Sequence, residues 1–321
     1  MKMQPLATTV QIQKEQKVKR LLGRIVVMGL LAVSCGEEPD IQVIAYEDSG
    51  SFSGVDWDDV YSQPGPSSNV YHGVTAAPTC IGNNDGIVEA SEMPTVIGAV
   101  ASYRVNPYNT SVPVSLTGVE DGSQYVWDYS NPPQLTPTHF KVESLQNQWF
   151  AGHFPEGQYV TPLSLWDPNI LGVYRNEGDT VMLLGIASAT SPADPDFTLL
   201  VYDAPLVVFR FPLDVGATWE QTVTFSDATL KGVKNAGEET YRFVVDGRGR
   251  VELPQFSFDN VLRVRLKLTQ RFVVSDGSPD ISHIQYFFVH ECVGEVARIV
   301  SHANETDNNF TAASEFRYLG L

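Results

Sequence analysis

The stretch Leu262-Arg-Val-Arg-Leu-Lys-Leu-Thr-Gln-Arg-Phe-Val-Val274 decides the fold class. Leu262, Val264, Leu266, Leu268, Phe272 and Val274 fall on one parity, and Arg263, Arg265, Lys267, Thr269 and Arg271 on the other. Only Gln270 breaks the pattern. Successive side chains of a strand point to opposite faces, so a period of two sets the apolar residues against a core and the basic ones outward.

The same alternation continues on both sides. Residues 241–251 repeat it, with a turn signal at Asp246-Gly247, and residues 281–289 and 296–301 read as two more strands. Further strand segments are 99–105, 123–129, 172–174, 180–187, 197–201, 206–211 and 219–225. Turn residues punctuate them at Asn131-Pro-Pro133, Asn176-Glu-Gly178 and Asp276-Gly-Ser-Pro279. No long stretch has helical periodicity, and no internal repeat is present. Short strands with polar outer faces predict an antiparallel all-β domain, sandwich or barrel-like, over residues 79–321. Two β lobes divided near residue 200 fit the strand spacing, but no linker composition marks the division.

The 321 residues carry a formal net charge of −17. That balance argues against nucleic acid as a partner, since such binding rests on Lys and Arg meeting phosphate. The charge is uneven. Residues 1–35 hold six basic residues and one acid, leaving 15 of the 21 basic and 37 of the 38 acidic residues for the rest. A basic leader before an acidic body reads as a targeting segment ahead of an exported domain. Within it, residues 14–24 are a positive region and Ile25-Val-Val-Met-Gly-Leu-Leu-Ala-Val33 is a short apolar one, well below the ~20 residues that a spanning helix needs. Ser34, Cys35 and Gly36 follow.

This arrangement resembles the lipobox of bacterial lipoproteins, in which a small residue precedes an invariant cysteine. The resemblance implies a signal peptide over residues 1–34, cleavage before Cys35 and lipidation of Cys35. Ala32 stands where Leu is commonest in that family. Gly36 follows the cysteine where an Asp would imply retention in the inner membrane, so the outer membrane is the expected destination. Residues 35–78 are then a flexible tether, rich in Gly, Ser, Pro and Asp, with a root-mean-square span of roughly 35 Å as a coil.

Cys80 and Cys292 are the other two cysteines. In an oxidising compartment they are expected to pair. The bridge would close a loop of more than two hundred residues, worth on the order of 4–5 kcal/mol in the chain-entropy model. The stretches Cys80-x-Gly-Asn-x-Asp-Gly86, Phe211-Pro-Leu-Asp-Val-Gly-Ala-Thr-Trp219 and Glu291-Cys292 also make the mature chain similar to uncharacterised predicted lipoproteins of myxobacteria. That likeness implies a shared β scaffold and no particular activity.

Asn83-Asn-Asp-Gly-Ile-Val-Glu-Ala-Ser-Glu92 resembles the calcium loop of EF-hand and dockerin-type proteins. The resemblance implies Asn83 and Asp85 as side-chain ligands, Ile87 as a carbonyl ligand, Glu89 at the ninth position and Glu92 as the terminal bidentate ligand. Ile81 stands where such loops carry their first Asp, and no flanking helices are evident. An Asn/Asp/Gly turn selected for its backbone conformations has the same composition. Calcium is the one cofactor the sequence suggests.

Other candidates are weaker. The basic face Arg263, Arg265, Lys267 and Arg271 either binds an anion or pairs with acids across strands. The six histidines have no metal-ligand spacing, and His283 and His290, seven apart on one strand, point to opposite faces. No catalytic or nucleotide-binding motif is present. The aromatics Trp127, Tyr129, Trp149, Phe150, Trp166, Tyr174, Phe211, Trp219, Tyr286, Phe287 and Phe288 either fill a core or line a cavity. The sequence therefore predicts a lipid-anchored envelope protein with a non-enzymatic binding or structural role and an unknown envelope partner. The alternative is a carrier of a hydrophobic ligand in a β-barrel, and the third is an envelope hydrolase.

Overall fold

The computed structural model describes residues 80–93, 95–121, 124–190, 192–273 and 280–320. The expected signal peptide, the expected lipidation site Cys35 and the expected tether to residue 78 lie outside the described residues. So do Val274 and the turn at 276–279.

The described residues form an all-β fold. The first strands are β1 (Val100–Val105), β2 (Val112–Pro113), β3 (Val119–Asp121), β4 (Gln124–Asp128), β5 (Thr136–Lys141) and β6 (Glu143–Ser144). Then come β7 (Tyr159–Pro162), β8 (Ile170–Glu177), β9 (Thr180–Ser188), β10 (Leu199–Arg210) and β11 (Thr218–Leu230). The last are β12 (Val233–Glu252), β13 (Ser257–Phe272), β14 (Ile281–His290), β15 (Gly294–Ser301) and β16 (Ala312–Leu319).

From β6 to β16 each strand pairs with the next, and β16 then pairs with β1, and β1 with β5. The two ends of this order, β5 and β6, are consecutive in the chain. They join through Val142, which bonds to Ala99 and Gly98 at 2.9 and 2.8 Å. One extended segment therefore pairs with β1 at its start and with β7 at its end. The sheet curls on itself into a nearly closed, antiparallel barrel, the second of the two architectures expected. Residue 200 lies inside β10, which pairs with both neighbours. Outside the barrel, β4 lies parallel to β12 and antiparallel to β3.

The quoted stretch is β13, and its even residues face the lumen. Val264, Leu266 and Leu268 register with Val245, Phe243 and Tyr241 on one side and with Phe287, Gln285 and His283 on the other. All four of Val264, Leu266, Leu268 and Phe243 belong to the interior cluster. The strand β14 is buried on both faces. Phe287 and Val289 join the interior cluster, while Ile284, Tyr286 and Phe288 pack outward under Trp127, Tyr129 and Leu116. That is why β14 carries apolar residues on both parities rather than at alternate positions.

Three local readings change. Asp246-Gly247 is a register shift within the β12–β13 ladder, not a turn. The Asp246 carboxylate is used there, accepting from Arg263 Nε at 2.7 Å with Arg265 at 3.7 Å. Segments 197–201 and 206–211 are one strand, β10, interrupted at Pro205. Proline removes a ladder donor. Gln221 of β11 patches the gap, donating to the Pro205 carbonyl at 2.7 Å and accepting from Val207 N–H at 2.9 Å. Finally, β16 lies outside the expected strand segments, as do β2, β3, β5, β6 and β7. Its lumen-facing positions include Glu315 and Arg317, whose charges hide the period of two.

Candidate functional site

Two regions qualify as candidate sites, the loop at residues 80–92 and a cavity inside the barrel.

The loop is held at one end of the barrel. Cys80 and Cys292 form the expected disulfide, across a sequence separation of 212. Val88 forms an isolated antiparallel bridge with Leu213, at 3.0 and 2.9 Å. Asn260 Nδ2 donates to the Asn84 carbonyl at 3.1 Å and to Asn84 Oδ1 at 2.9 Å. Residues 80–88, 211–219 and 291–292 therefore meet in space.

The predicted calcium ligands serve the loop's own backbone. Asn83 Oδ1 accepts from Asp85 N–H at 2.9 Å, and Asp85 Oδ1 accepts from Ile87 N–H at 2.7 Å. Glu92 Oε2 accepts from Glu89 N–H at 3.0 Å, and the Glu92 carbonyl accepts from Cys292 N–H at 2.8 Å. The residue that organises the turn is not among the predicted ligands. Glu291 is buried and accepts from Asn84 N–H at 2.8 Å and Gly86 N–H at 3.1 Å. Backbone amides converge on an anion, the opposite polarity to a cation loop. Asn84 and Gly86 both have positive φ, 58° and 78°, which turns their amides inward. Among the described residues no group of three or more His, Cys, Asp or Glu side chains is placed to hold a metal ion.

Three of the four residues of the basic face of β13, Arg263, Arg265 and Arg271, pair with acids. Arg263 donates to Asp246 and, at 2.6 Å, to the Leu116 carbonyl, and its guanidinium lies over the Trp127 and Tyr286 rings. Arg271 bonds Glu238 at 2.7 Å and Asp280 at 2.8 Å.

The cavity has a volume of about 200 Å³. It lies in the lumen beside the seam where the first and last strands of the barrel meet. Ala101 and Tyr103 of β1 line it, as do Tyr159 and Thr161 of β7, Tyr174 of β8, and Val208 and Phe209 of β10. Met93, Thr95 and Val96, just after the loop, line it as well. Thr95 is tied down, its Oγ1 accepting from Asn176 Nδ2 at 3.1 Å, while Asn176 Oδ1 accepts from the Tyr159 hydroxyl at 2.9 Å. Burial pushes the Tyr159 phenol up to about 12.

One wall of the cavity is charged. Glu295 and Arg298 of β15 and Arg317 of β16 line it. Glu295 Oε1 accepts from Arg317 Nε at 2.8 Å and Glu295 Oε2 from Arg298 Nε at 3.0 Å. The Arg298 guanidinium lies 4.3 Å from the centroid of the Phe287 ring, and Arg317 lies 5.6 Å from that of Tyr103. Burial works to raise the Glu295 carboxyl, but the two guanidiniums outweigh it and hold the group below its ordinary value. A fourth member, Glu315, is 1 % exposed, and burial raises its carboxyl. Arg317 Nη1 approaches Glu315 Oε1 at 3.4 Å, yet neither Nη1 nor either Glu315 oxygen has a hydrogen-bond partner. The 3.4 Å approach is thus an ion contact without hydrogen-bond geometry.

A second buried group lies deeper. Glu239 accepts from the Tyr202 and Tyr241 hydroxyls at 2.6 and 2.7 Å and from Gln270 Nε2 at 2.7 Å. Gln270, the one residue out of pattern in β13, is therefore a partner for this carboxyl. Burial raises Glu239 as well. His283 is lumen-facing, and burial lowers it to about 4. His290 faces the other way and packs on Phe258, with ring centroids 5.4 Å apart.

Of the eleven aromatics that could have lined a cavity, Tyr174 does so. Phe211, Trp219 and Phe287 fill the lumen, Trp127, Tyr129, Tyr286 and Phe288 fill the outer cluster, and Phe150 fills a third. Sequence reasoning missed the charged wall, because charges on a strand read as the solvent face. Comparison with known proteins finds no matching family model, no similar curated protein and no solved structure that matches.

Proposed function

We propose that this chain is a lipid-anchored protein of the cell envelope with a non-enzymatic binding role. The observation that carries the reading is the Cys80–Cys292 bond. A bridge of this kind belongs to an oxidising compartment. It also uses both cysteines of the folded domain and leaves Cys35, behind the basic and apolar leader, as the third and last. The outer face of the barrel supports the same placement. β11–β13 present Glu220–Arg242 and Glu238–Arg271 pairs there, a surface suited to water rather than to hydrocarbon. The tether then lets a water-bathed barrel stand off from the membrane.

The test is to express the full chain in a Gram-negative host fed an alkyne-tagged palmitate. The tag is expected on the wild type, in the membrane fraction, with the disulfide formed. Cys35→Ser is expected to lose the tag and leave the membrane while keeping the disulfide. An untagged wild-type chain with free Cys80 and Cys292 thiols would overturn the proposal.

A further inference from the structure

We propose that the cavity beside the barrel seam binds a small, neutral, predominantly hydrocarbon molecule, one aromatic ring or an alkyl group of similar bulk. This names a ligand class for the binding role proposed above and rests on that reading; the lipid anchor does not enter. Volume sets the size. The space is about 200 Å³. An apolar cavity of ~150 Å³ accepts benzene, so roughly six to nine non-hydrogen atoms fit here. The lining sets the chemistry. Met93, Val96, Ala101, Val181, Val208 and Phe209 face the space with apolar side chains.

The polar side chains on the lining are matched within the protein. The Tyr103 hydroxyl donates to the Glu295 carbonyl at 2.7 Å. Tyr159 donates to Asn176, which in turn donates to Thr95. The Thr161 and Tyr174 hydroxyls bond each other. Glu295 takes both guanidiniums, and Arg317 Nη1 approaches Glu315, which stands behind the wall. Two acids and two guanidiniums balance, so among the described residues the lining offers an ion neither net charge nor an open partner. An ion or a strongly polar molecule would give up its water without compensation. An apolar one gains by leaving water and restores packing that the void forfeits.

The wall is also fixed before anything binds. Cys292 is bonded to Cys80, and its N–H donates to the Glu92 carbonyl at 2.8 Å. The next residue on each segment, Met93 and Val293, lines the space. A pocket already in its bound shape spends little of the ligand's affinity on ordering.

The experiment titrates the full chain with toluene, phenol, benzoate and benzylamine. It is read by calorimetry and by the Met93 methyl resonance in methionine-labelled protein. Toluene is expected to bind at one site with a Kd of roughly 1 mM or tighter, and to shift the Met93 methyl along the same curve. Phenol is expected to bind at least about tenfold more weakly, the effect of burying an unmatched hydroxyl. Benzoate and the benzylamine cation are expected not to saturate. Ala101→Leu, which fills the space and leaves the ion group untouched, is expected to abolish toluene binding while the protein stays folded by circular dichroism. No saturable toluene binding would overturn the proposal, as would an unmoved Met93 methyl, equal binding of phenol or of either ion, or full binding by a folded Ala101→Leu. If Ala101→Leu does not fold, the wild-type series and the Met93 shift decide. Failure here leaves palmitate labelling of Cys35 unaffected, and an unlabelled Cys35 leaves this titration unaffected, so the two proposals fail separately.

Discussion

Replacing both bridged cysteines, as Cys80→Ser with Cys292→Ser, tests how the fold is held together. The bond spans a sequence separation of 212. In the chain-entropy model a loop of that length restricts the unfolded chain by about 5 kcal/mol. Native contacts around the bond survive the change. Cys292 N–H still bonds the Glu92 carbonyl, and Glu291 still holds Asn84 and Gly86. The loss therefore acts mainly through the unfolded state. Against a typical total of 5–15 kcal/mol it is a third or more of the stability. For a domain of this size it corresponds to a fall in thermal midpoint of roughly 10–20 °C. Urea unfolding followed by tryptophan fluorescence measures both the free energy and its slope. The variant is expected to show the lower midpoint and the steeper slope, because its unfolded chain is more expanded. A loss below about 1 kcal/mol with an unchanged slope would refute the reasoning.

The charged wall predicts that Arg317→Met costs about 3–5 kcal/mol, because Glu295 and Glu315 are left buried without it; the urea midpoint reads this. Its carboxyls also predict opposite pH responses. Glu295 is held below its ordinary value in the folded state, so its contribution is present above the usual carboxylate range and fades as pH falls. Glu315 is held above its ordinary value, so its contribution is present in acid and fades as pH rises through its folded value. Stability profiles of Glu295→Gln and Glu315→Gln should diverge from wild type with opposite slopes, and parallel profiles would contradict the assignment. At Gly249 an added Cβ would lie 2.2 Å from the Tyr125 carbonyl oxygen. Gly249→Ala should push β4 away from β12 at a cost of about 1–3 kcal/mol, with a shift in Trp127 emission. Removing divalent cations with EDTA should leave the thermal midpoint where it was, since Asn83 and Asp85 oxygens already bond backbone amides; a calcium-dependent rise would show that the loop rearranges around the ion.

Much of the barrel is written in residue parity, and β13 is the clearest case. Where a strand has one wet face and one dry face, alternation exposes it. The reading fails where that division fails. β14 is dry on both faces, so apolar residues fall on both parities and no period shows. β16 is dry on both faces but carries Glu315 and Arg317 inward, so its period appears inverted. β10 contains Pro205, which reads as an end, yet Gln221 supplies the missing bonds from the neighbouring strand. The loop at 83–92 was legible as a turn with special backbone conformations. Its organising ligand, Glu291, lies about two hundred residues away; the expected Cys80–Cys292 pairing brings the two segments together, but it does not say that the Glu291 carboxylate takes the loop's amides. The charged wall was illegible for a similar reason, because its members come from two strands and a single sequence does not pair them.

The placement of that wall is informative. Around most of the lumen the barrel is filled by large rings, with Trp219 stacked on Phe243 and Tyr241 beside it. At the seam between β1 and β16 the filling changes to Ala101, Gly294 and the Glu295–Arg298–Arg317 group, and the cavity opens there. Stability alone does not favour this. Burying four charges costs more than burying apolar residues of the same volume, and replacing such groups by hydrophobic ones is often neutral or stabilising. A void forfeits packing energy in addition. Both costs fall at the same place, on one side of a barrel that is well filled elsewhere. An occupant that fills the void offsets the second of them.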